Sequence, residues 1–487
     1  VTTEHWDVIV CGGGTAGPVV AARLVEAGRR VLLLEAGPDY GPFEGGGWPP
    51  ELVDSTTIPK THDWGYTSGD ELPGRALPYE RARVIGGCSA HNGCTVSWGH
   101  RADAEGWKLP GWSAGELLPL FEEASRRMRM RRFADAELSP FHRAFIAAGA
   151  RLGLPEVDDL DTLDGVAGVS AEPSNSPDGM RWNAAFAYLD PVRPSPLLEI
   201  RDRSIVDRVL VEAGRAVGVR AIGREGAFEV RADQVVLTAG AYGTPAVLLR
   251  SGIGPAGELR ALGIEVVADN PGVGANLHDH PSFELIYERT QELDRRDAEF
   301  VAGGQTVPDE QGFAKVASSL CRDAPFDLHL FSEMLTERRP GIFVACLTPR
   351  SRGRVTLTSA DPEAPPRLDH GFLSDAEGHD LAVLVEGAAL AREFARQPEL
   401  AALLGAEVEP GPGVDLAAAI RRGVIHCWHP VGTCAMGIAC DERGRVHGVE
   451  RLAVADASLF PQTVRATTNV PTVVVAARVA AGLDGPA

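Results

Sequence analysis

The sequence predicts an α/β fold built on a parallel sheet. Two observations predict it. The chain opens on a short apolar strand, a glycine turn, an apolar helix and a second apolar strand, the order of a βαβ unit. A third apolar run, Val235-Val236-Leu237, leads into a turn and helix of its own and completes such a sheet.

The first unit is legible residue by residue. Asp7-Val8-Ile9-Val10-Cys11 has the β-branched, uninterrupted apolarity of a strand buried on both faces. Gly12-Gly13-Gly14-Thr15-Ala16-Gly17 follows, then a helix carrying Val19, Val20, Ala22, Leu24 and Val25, which Gly28 ends. Arg30-Val31-Leu32-Leu33-Leu34 is the second strand, and Glu35 stands at its end. In this context the glycines are a dinucleotide fingerprint. Gly12 permits the tight turn, Gly14 lets backbone approach a pyrophosphate, and Gly17 lets helix and strand pack closely. The helix N-terminus offers free N–H groups to the phosphates. Glu35 is placed to accept from a ribose diol. An acid there points to FAD or NAD rather than NADP, and the fingerprint does not choose between those two. Farther on, Leu210, Val211, Val217 and Val219 flank Ala213-Gly214 as a hairpin feeding the sheet. After Leu237 come a turn at Gly240–Gly243 and a helix expected to hold Pro245 in its first turn.

Composition narrows the function. With 487 residues, 44% hydrophobic and 23% charged, the chain has ample material for large cores. A formal charge of -20 argues against a general nucleic-acid binder. Cys11, Cys88, Cys94, Cys321, Cys346, Cys427, Cys434 and Cys440 are too sparse for a disulfide scaffold and read as reduced thiols. With no signal peptide ahead of the first strand, the expected location is cytoplasmic. The apolar stretch from Val470 to Leu483, interrupted by Arg478, is too short to span a bilayer.

Five further blocks identify a family. They are Tyr79 to Gly99 (YERARVIGGCSAHNGCTVSWG), Val235 to Pro255, Pro271 to Pro281 (PGVGANLHDHP), His429-Pro430-Val431-Gly432-Thr433 and Val454-Ala455-Asp456-Ala457-Ser458. With Asp63-Trp64-Gly65-Tyr66, and in this order from Asp7 to about Arg478, they resemble the glucose-methanol-choline (GMC) oxidoreductases, FAD-dependent alcohol oxidases and dehydrogenases. The resemblance implies a discontinuous, Rossmann-like FAD-binding domain over 1–149, 201–281 and 429–487. It also implies a substrate domain over 150–200 and 282–428, with an antiparallel sheet lying over the flavin. Phe283–Tyr287, Val344–Cys346 and Arg354–Leu357 are its candidate strands. The polar, acidic segment 288–313 is expected to be a lid or mobile loop.

The same resemblance implies the cofactor contacts. Gly12, Gly14, Thr15, Ala16, Gly17, Glu35 and Ala36 would meet the dinucleotide, and Trp64, Val84, Gly87, Cys88, His91, Asn92, Gly93 and Cys94 the flavin region. Ser89 and Asn92 offer hydrogen bonds to the ring, and Cys88 and Cys94 would pack beside it. Val206 would lie over the adenine edge, and Ala239, Asp456, Ala457, Asn469, Val470 and Pro471 complete the set. Gly-Gly-Cys-Ser-Ala-His-Asn-Gly-Cys is similar to the choline oxidase motif in which the histidine bonds covalently to the flavin. His91 therefore either carries a covalent FAD or packs against the ring edge.

His429 occupies the family's first catalytic position, that of a base toward the substrate hydroxyl as hydride passes to flavin N5. The second, normally His or Asn, is here Thr467. A threonine hydroxyl hydrogen-bonds but is no base near neutral pH. Either Thr467 faces the substrate, or Asn469 shifts toward it from the flavin pyrimidine, or His429 has no polar partner. Choline oxidases carry Glu after Asp-His-Pro; here Asp279-His280-Pro281 is followed by Ser282, which argues against choline. The cysteines and histidines of 426–440 lack a paired zinc spacing, so no metal is expected. The implied reaction is oxidation of an alcohol to a carbonyl, with oxygen or another acceptor taking the electrons. A hydroxynitrile lyase-like enzyme and a redox-silent FAD protein are the alternatives, and a homo-oligomer is left open.

Overall fold

The computed structural model describes residues 5–69, 75–334 and 339–483. The βαβ unit forms as its apolar pattern requires. β1 (His5–Cys11) and β2 (Val31–Leu34) pair in parallel, and α1 (Ala16–Glu26) crosses between them. β3 (Leu198–Arg201) extends the sheet beyond β2. β4 (Ile205–Glu212) and β5 (Arg215–Gly223) form the expected hairpin. Ala213 and Gly214 both take positive φ in its two-residue turn, the twist such turns favour. β6 (Gly226–Leu237) is long enough to do two jobs. Its first half pairs antiparallel with β5, and its second half pairs parallel with β1. The sheet order is β3-β2-β1-β6-β5-β4, with Leu452–Val454 also paired to β6. The C-terminal helix (Asn469–Leu483) packs its valines and alanines into the same core as α1.

A second sheet carries β7 (Ser282–Arg289), β8 (Glu310–Val316), β9 (Leu328–Met334) and β10 (Pro340–Cys346). All its pairs are antiparallel, in the order Leu404–Glu409, β7, β10, β9, β8, Gly168–Ala171. One face of the sheet packs Leu285, Leu330, Ile342 and Val344 with the Pro140–Arg151 helix. The other presents Phe313, Phe331 and Phe343 toward Cys427.

The structure differs from the sequence reading at several points. Arg354–Thr356 pairs with Arg367–Asp369 in a separate ladder, outside the inserted sheet. Residues 291–302 form a helix rather than a loop. Thr290 caps it by accepting from the Leu293 N–H, Leu293 anchors it in the core, and Arg295 links Glu292 and Glu299 along its surface. Packing also divides the chain differently. The Pro140–Arg151 helix buries its face in the inserted domain, while 182–192 and β3 belong to the nucleotide domain. α2 (Gly240–Arg250) begins early enough that Pro245 lies inside it rather than in its first turn. The carbonyl Pro245 leaves without its helical donor, that of Ala241, accepts instead from the Thr433 hydroxyl at 2.6 Å. That bond ties the His429–Thr433 segment to the nucleotide domain. All eight cysteines are free thiols. Among the described residues no helix is long and apolar enough to cross a membrane.

Candidate active site

The dinucleotide turn fits its assigned work. Gly12 has φ +112°, and a side chain there would strike the Thr238 carbonyl at 2.6 Å. A Cβ on Gly17 would lie 1.9 Å from the Gly12 carbonyl oxygen, so only glycine lets α1 approach. A Cβ on Gly14 would meet nothing nearer than 3.9 Å, which leaves a cradle beside the turn. Thr15 makes no side-chain cap bond, so the α1 N-terminus keeps donors for an anion. Glu35 is buried and accepts the N–H groups of Gly13 and Gly37, both at 2.7 Å. Burial pushes its carboxyl up to about 7.

The 84–94 turn is held from behind. Val84 is buried and accepts from Gly87 N–H. The guanidinium of Arg181, wholly buried, donates to the Asn92 carbonyl at 2.7 Å and to the carbonyls of Glu51 and Leu52. The Asn92 side chain accepts from Cys94 N–H. Cys94 is buried and Cys88 partly so, as small apolar packers. Ser89 does not face a ring. It donates to the Gly86 carbonyl, accepts from Ala184 N–H, and is fully buried. Trp64 stacks flat on Tyr66 at 5.8 Å, with Arg83 over its face, and Arg83 also donates to the Ala36 carbonyl. The Val206 carbonyl accepts from Arg250. The Ala239 N–H donates to Thr244. The Asp456 carboxylate is spent inside the protein, on Gly240 N–H, Thr244, and the N–H and hydroxyl of Ser458, so its side chain positions α2 rather than reaching a ligand. Ala457 offers its carbonyl to Gly432 N–H.

Asn469 gives the clearest test of the cofactor's fit. Its Oδ1 and Nδ2 are both buried without a partner, at the first residue of a helix whose next residues are Val470 and Pro471. Such orphaned groups are costly unless a ligand completes them. Together with the cradle at Gly14 and the open α1 N-terminus, this fits FAD.

His91 is buried, and its Nε2 lies 2.7 Å from the Thr61 carbonyl. That nitrogen must carry the proton, leaving the Nδ1 lone pair free. Burial holds the ring's pKa below the usual value, so it is neutral.

The catalytic segment is built around a second histidine that the sequence reading passed over. His280 Nε2 lies 3.0 Å from the Val464 carbonyl and 3.1 Å from the Thr463 hydroxyl. A carbonyl only accepts, so His280 Nε2 is protonated and Nδ1 is the acceptor. His429 Nδ1 lies 3.0 Å from that Nδ1 and must donate to it. His429 Nε2 is therefore left with its lone pair. Burial holds His280 down at about 4 and His429 well below the ordinary imidazole range. The adjacent Asp279 fixes the backbone. It accepts from the N–H groups of His429 and Cys427 on either side of Trp428, whose φ of +57° turns both toward it. Burial raises Asp279 to about 7. The signal for both residues was the Asp279-His280-Pro281 block itself, but its partners lie about 150 positions away in sequence.

Thr467 is turned onto Ser97. Its hydroxyl oxygen accepts from Ser97 N–H at 3.0 Å, and its own N–H donates to the Ser97 hydroxyl. The structure thus supplies His429 with an imidazole partner at its Nδ1, and commits a Thr467 lone pair elsewhere. His280, Cys427 and His429 also present ligand atoms within 4.8 Å of one another, as do Cys346, His379 and Asp380.

Comparison with known proteins agrees. The GMC oxidoreductase N-terminal family model matches residues 6–282 and the C-terminal one 349–476. Choline oxidase of Arthrobacter globiformis is 32% identical over 99% of this chain and 94% of its own length. Oxygen-dependent choline dehydrogenase of Burkholderia multivorans is 30% identical over 100% and 94%. Among solved structures, pyridoxine 4-oxidase from Mesorbium loti superposes with a TM-score of 0.87 at 28% identity, over 98% of this chain and 99% of that one. The two family models together match most of the chain, and relatives at 30–32% identity span nearly all of it, so this protein belongs to the GMC oxidoreductases, FAD-dependent enzymes that oxidise CH–OH donors.

Proposed function

We propose that His429 is the base that takes the proton of a primary or secondary alcohol as it is oxidised to the carbonyl. The observation that carries this is the hydrogen-bond chain from Val464 through His280 to His429, which leaves His429 Nε2 as a lone pair. FAD, when bound, supplies the hydride acceptor. His429 Nε2 receives the hydroxyl proton, and the ring becomes an imidazolium. Its Nδ1–H remains bonded to the His280 lone pair, a charge-assisted contact that strengthens as the proton arrives. Asp279 keeps the 427–429 backbone from following the charge. The Thr467 and Ser97 hydroxyls lie 3.4 Å apart, and when Ser97 donates in that contact Thr467 has a hydroxyl proton with which to steady the substrate oxygen.

Gly12, Gly14, Gly17 and the α1 N-terminus would hold the pyrophosphate, Glu35 the ribose, and Asn469 the flavin pyrimidine. His91 is the proposed point of covalent attachment, with Nδ1 as the bonding nitrogen because Nε2 is committed to Thr61. Oxygen or another acceptor takes up the electrons. The relatives named for choline match nearly the whole chain, but Ser282 follows Asp279-His280-Pro281 here, so a different alcohol is expected. The test is anaerobic mixing of the yellow holoenzyme with alcohols. Bleaching by wild type and its loss in His429→Ala support the assignment, and equal bleaching by the variant overturns it.

A further inference from the structure

The inserted sheet turns toward the catalytic histidines a face on which glutamates gather. Strand alternation puts Glu284 of β7, Glu310 of β8 and Glu333 of β9 on the side that carries Phe331 and Phe343. Glu310 stands opposite Glu333 in the register. Glu172, just past the Gly168–Ala171 strand, bonds through its N–H to Gln311 beside them. Cys427 links this face to His429. Cys427 presents its sulfur within 4.8 Å of the His280 and His429 nitrogens, and its thiol is pushed up by burial and by the fields of Asp279, Glu310 and Glu333.

These carboxylates are under-satisfied. Thr95 Oγ1 lies 2.8 Å from Glu172 Oε2 and 2.7 Å from Glu310 Oε2. One hydroxyl proton cannot serve two carboxylates, so one of the pair must carry a proton of its own and donate it to Thr95. Glu172 is 1% exposed, and its Oε1 has no partner. The carboxylates of Glu284 and Glu333 make no hydrogen bond or ion pair among the described residues. The neighbouring charges do not relieve them. Asp309 and Glu409 are acidic, Lys315 is bound to Asp161 at 3.0 Å, and Arg131 is bound to Glu137 at 2.9 Å. A cavity of about 100 Å³ bounded by Gly93, Thr95, Asp309 and Glu310 opens beside this group. Gly93 belongs to the turn assigned to the flavin, and a Cβ there would come within 3.5 Å of Glu310 Oε1.

We propose that Glu172, Glu310 and Glu333 form a subsite for a protonated amine, so that the alcohols this enzyme oxidises carry a primary or secondary ammonium group a few atoms from the hydroxyl. This rests on the assignment of His429 as the base. The unpaired oxygens call for N–H donors, which a trimethylammonium group lacks. Arrival of the cation displaces the proton shared by Glu172 and Glu310, so binding releases a proton and strengthens as pH rises through neutrality.

Calorimetric titration of the holoenzyme with propylammonium chloride, tetramethylammonium chloride and 1-propanol tests this without turnover. Propylammonium is expected to bind with a heat that depends on the buffer's ionisation enthalpy, and tetramethylammonium at least about tenfold more weakly. Glu333→Gln and Glu310→Gln should each weaken propylammonium by about tenfold to a hundredfold. Neither should lower the melting temperature, because each removes a half-buried, poorly paired carboxylate. Absence of propylammonium binding, tetramethylammonium binding as tight, or unchanged affinity in both variants overturns the subsite. Bleaching by neutral alcohols without propylammonium binding removes the subsite and leaves His429 standing. Propylammonium binding with equal bleaching by His429→Ala removes the base assignment instead.

Discussion

Replacing His280 with leucine deletes the acceptor at 3.0 Å from His429 Nδ1 and leaves the fold's apolar volume nearly intact. In the ground state the loss is the bond to His429 together with those of His280 Nε2 to the Val464 carbonyl and the Thr463 hydroxyl. In the transition state His429 is becoming an imidazolium, and the lost bond is charge-assisted, about 1.5–3 kcal/mol. At about 1.4 kcal/mol per factor of ten, kcat/KM should fall about tenfold to 150-fold. Freed of its acceptor, the His429 ring also loses the constraint that keeps the lone pair on Nε2. Burial is the main influence that holds the His429 pKa down. His280 is itself neutral above about pH 4, so its Nδ1 lone pair stabilises the His429 imidazolium, and removing it should lower the His429 pKa further and move the acidic limb of the kcat/KM profile to lower pH. A merely structural lesion would not shift that limb. His280→Asn places an amide oxygen near the Nδ1 position and should recover part of the rate. The assay is steady-state oxidation across pH for wild type and both variants. A leucine variant within about twofold of wild type, with the acidic limb unmoved, would refute the reasoning.

Gly17→Ala drives a Cβ to within 1.9 Å of the Gly12 carbonyl oxygen, so the purified variant should carry little or no flavin by its visible spectrum. Acid precipitation of wild type should leave the yellow colour in the pellet, and that of His91→Ala should release it to the supernatant. Burial raises the carboxyls of Asp279 and Glu310 to about 7, above their unfolded values near 4. The folded protein then holds protons that the unfolded chain releases, and stability falls as pH rises from about 4 to about 7. Melting curves across that window should show the decline, and Glu310→Gln should flatten it.

The parts that were legible from sequence are the local ones. Gly12, Gly14 and Gly17 act within one turn, and Val8 to Cys11 and Val31 to Leu34 are buried on both faces, so pattern and environment coincide. His429 was found because its block is contiguous. The His280–His429 bond was not, because it joins blocks that only the tertiary fold brings together. Glu310 and Glu333 come from neighbouring strands of one sheet and Glu172 from just past a third, so their meeting depends on register. Segment 288–313 reads as a lid or mobile loop because the polar surface of the 291–302 helix outweighs its single anchoring leucine, and a lone Thr290 cap is a weak signal in sequence. Pro245 was assigned to a first turn because its lost donor is compensated by Thr433, a residue far along the chain.

The most direct test is anaerobic titration of the yellow holoenzyme with a panel of primary alcohols, neutral, aromatic and amine-bearing, for wild type and His429→Ala. The account predicts loss of the visible flavin absorbance in wild type and a rate about 10²–10⁴ lower in the variant. A wild-type spectrum unchanged by every alcohol, or a variant that bleaches as fast, would contradict it.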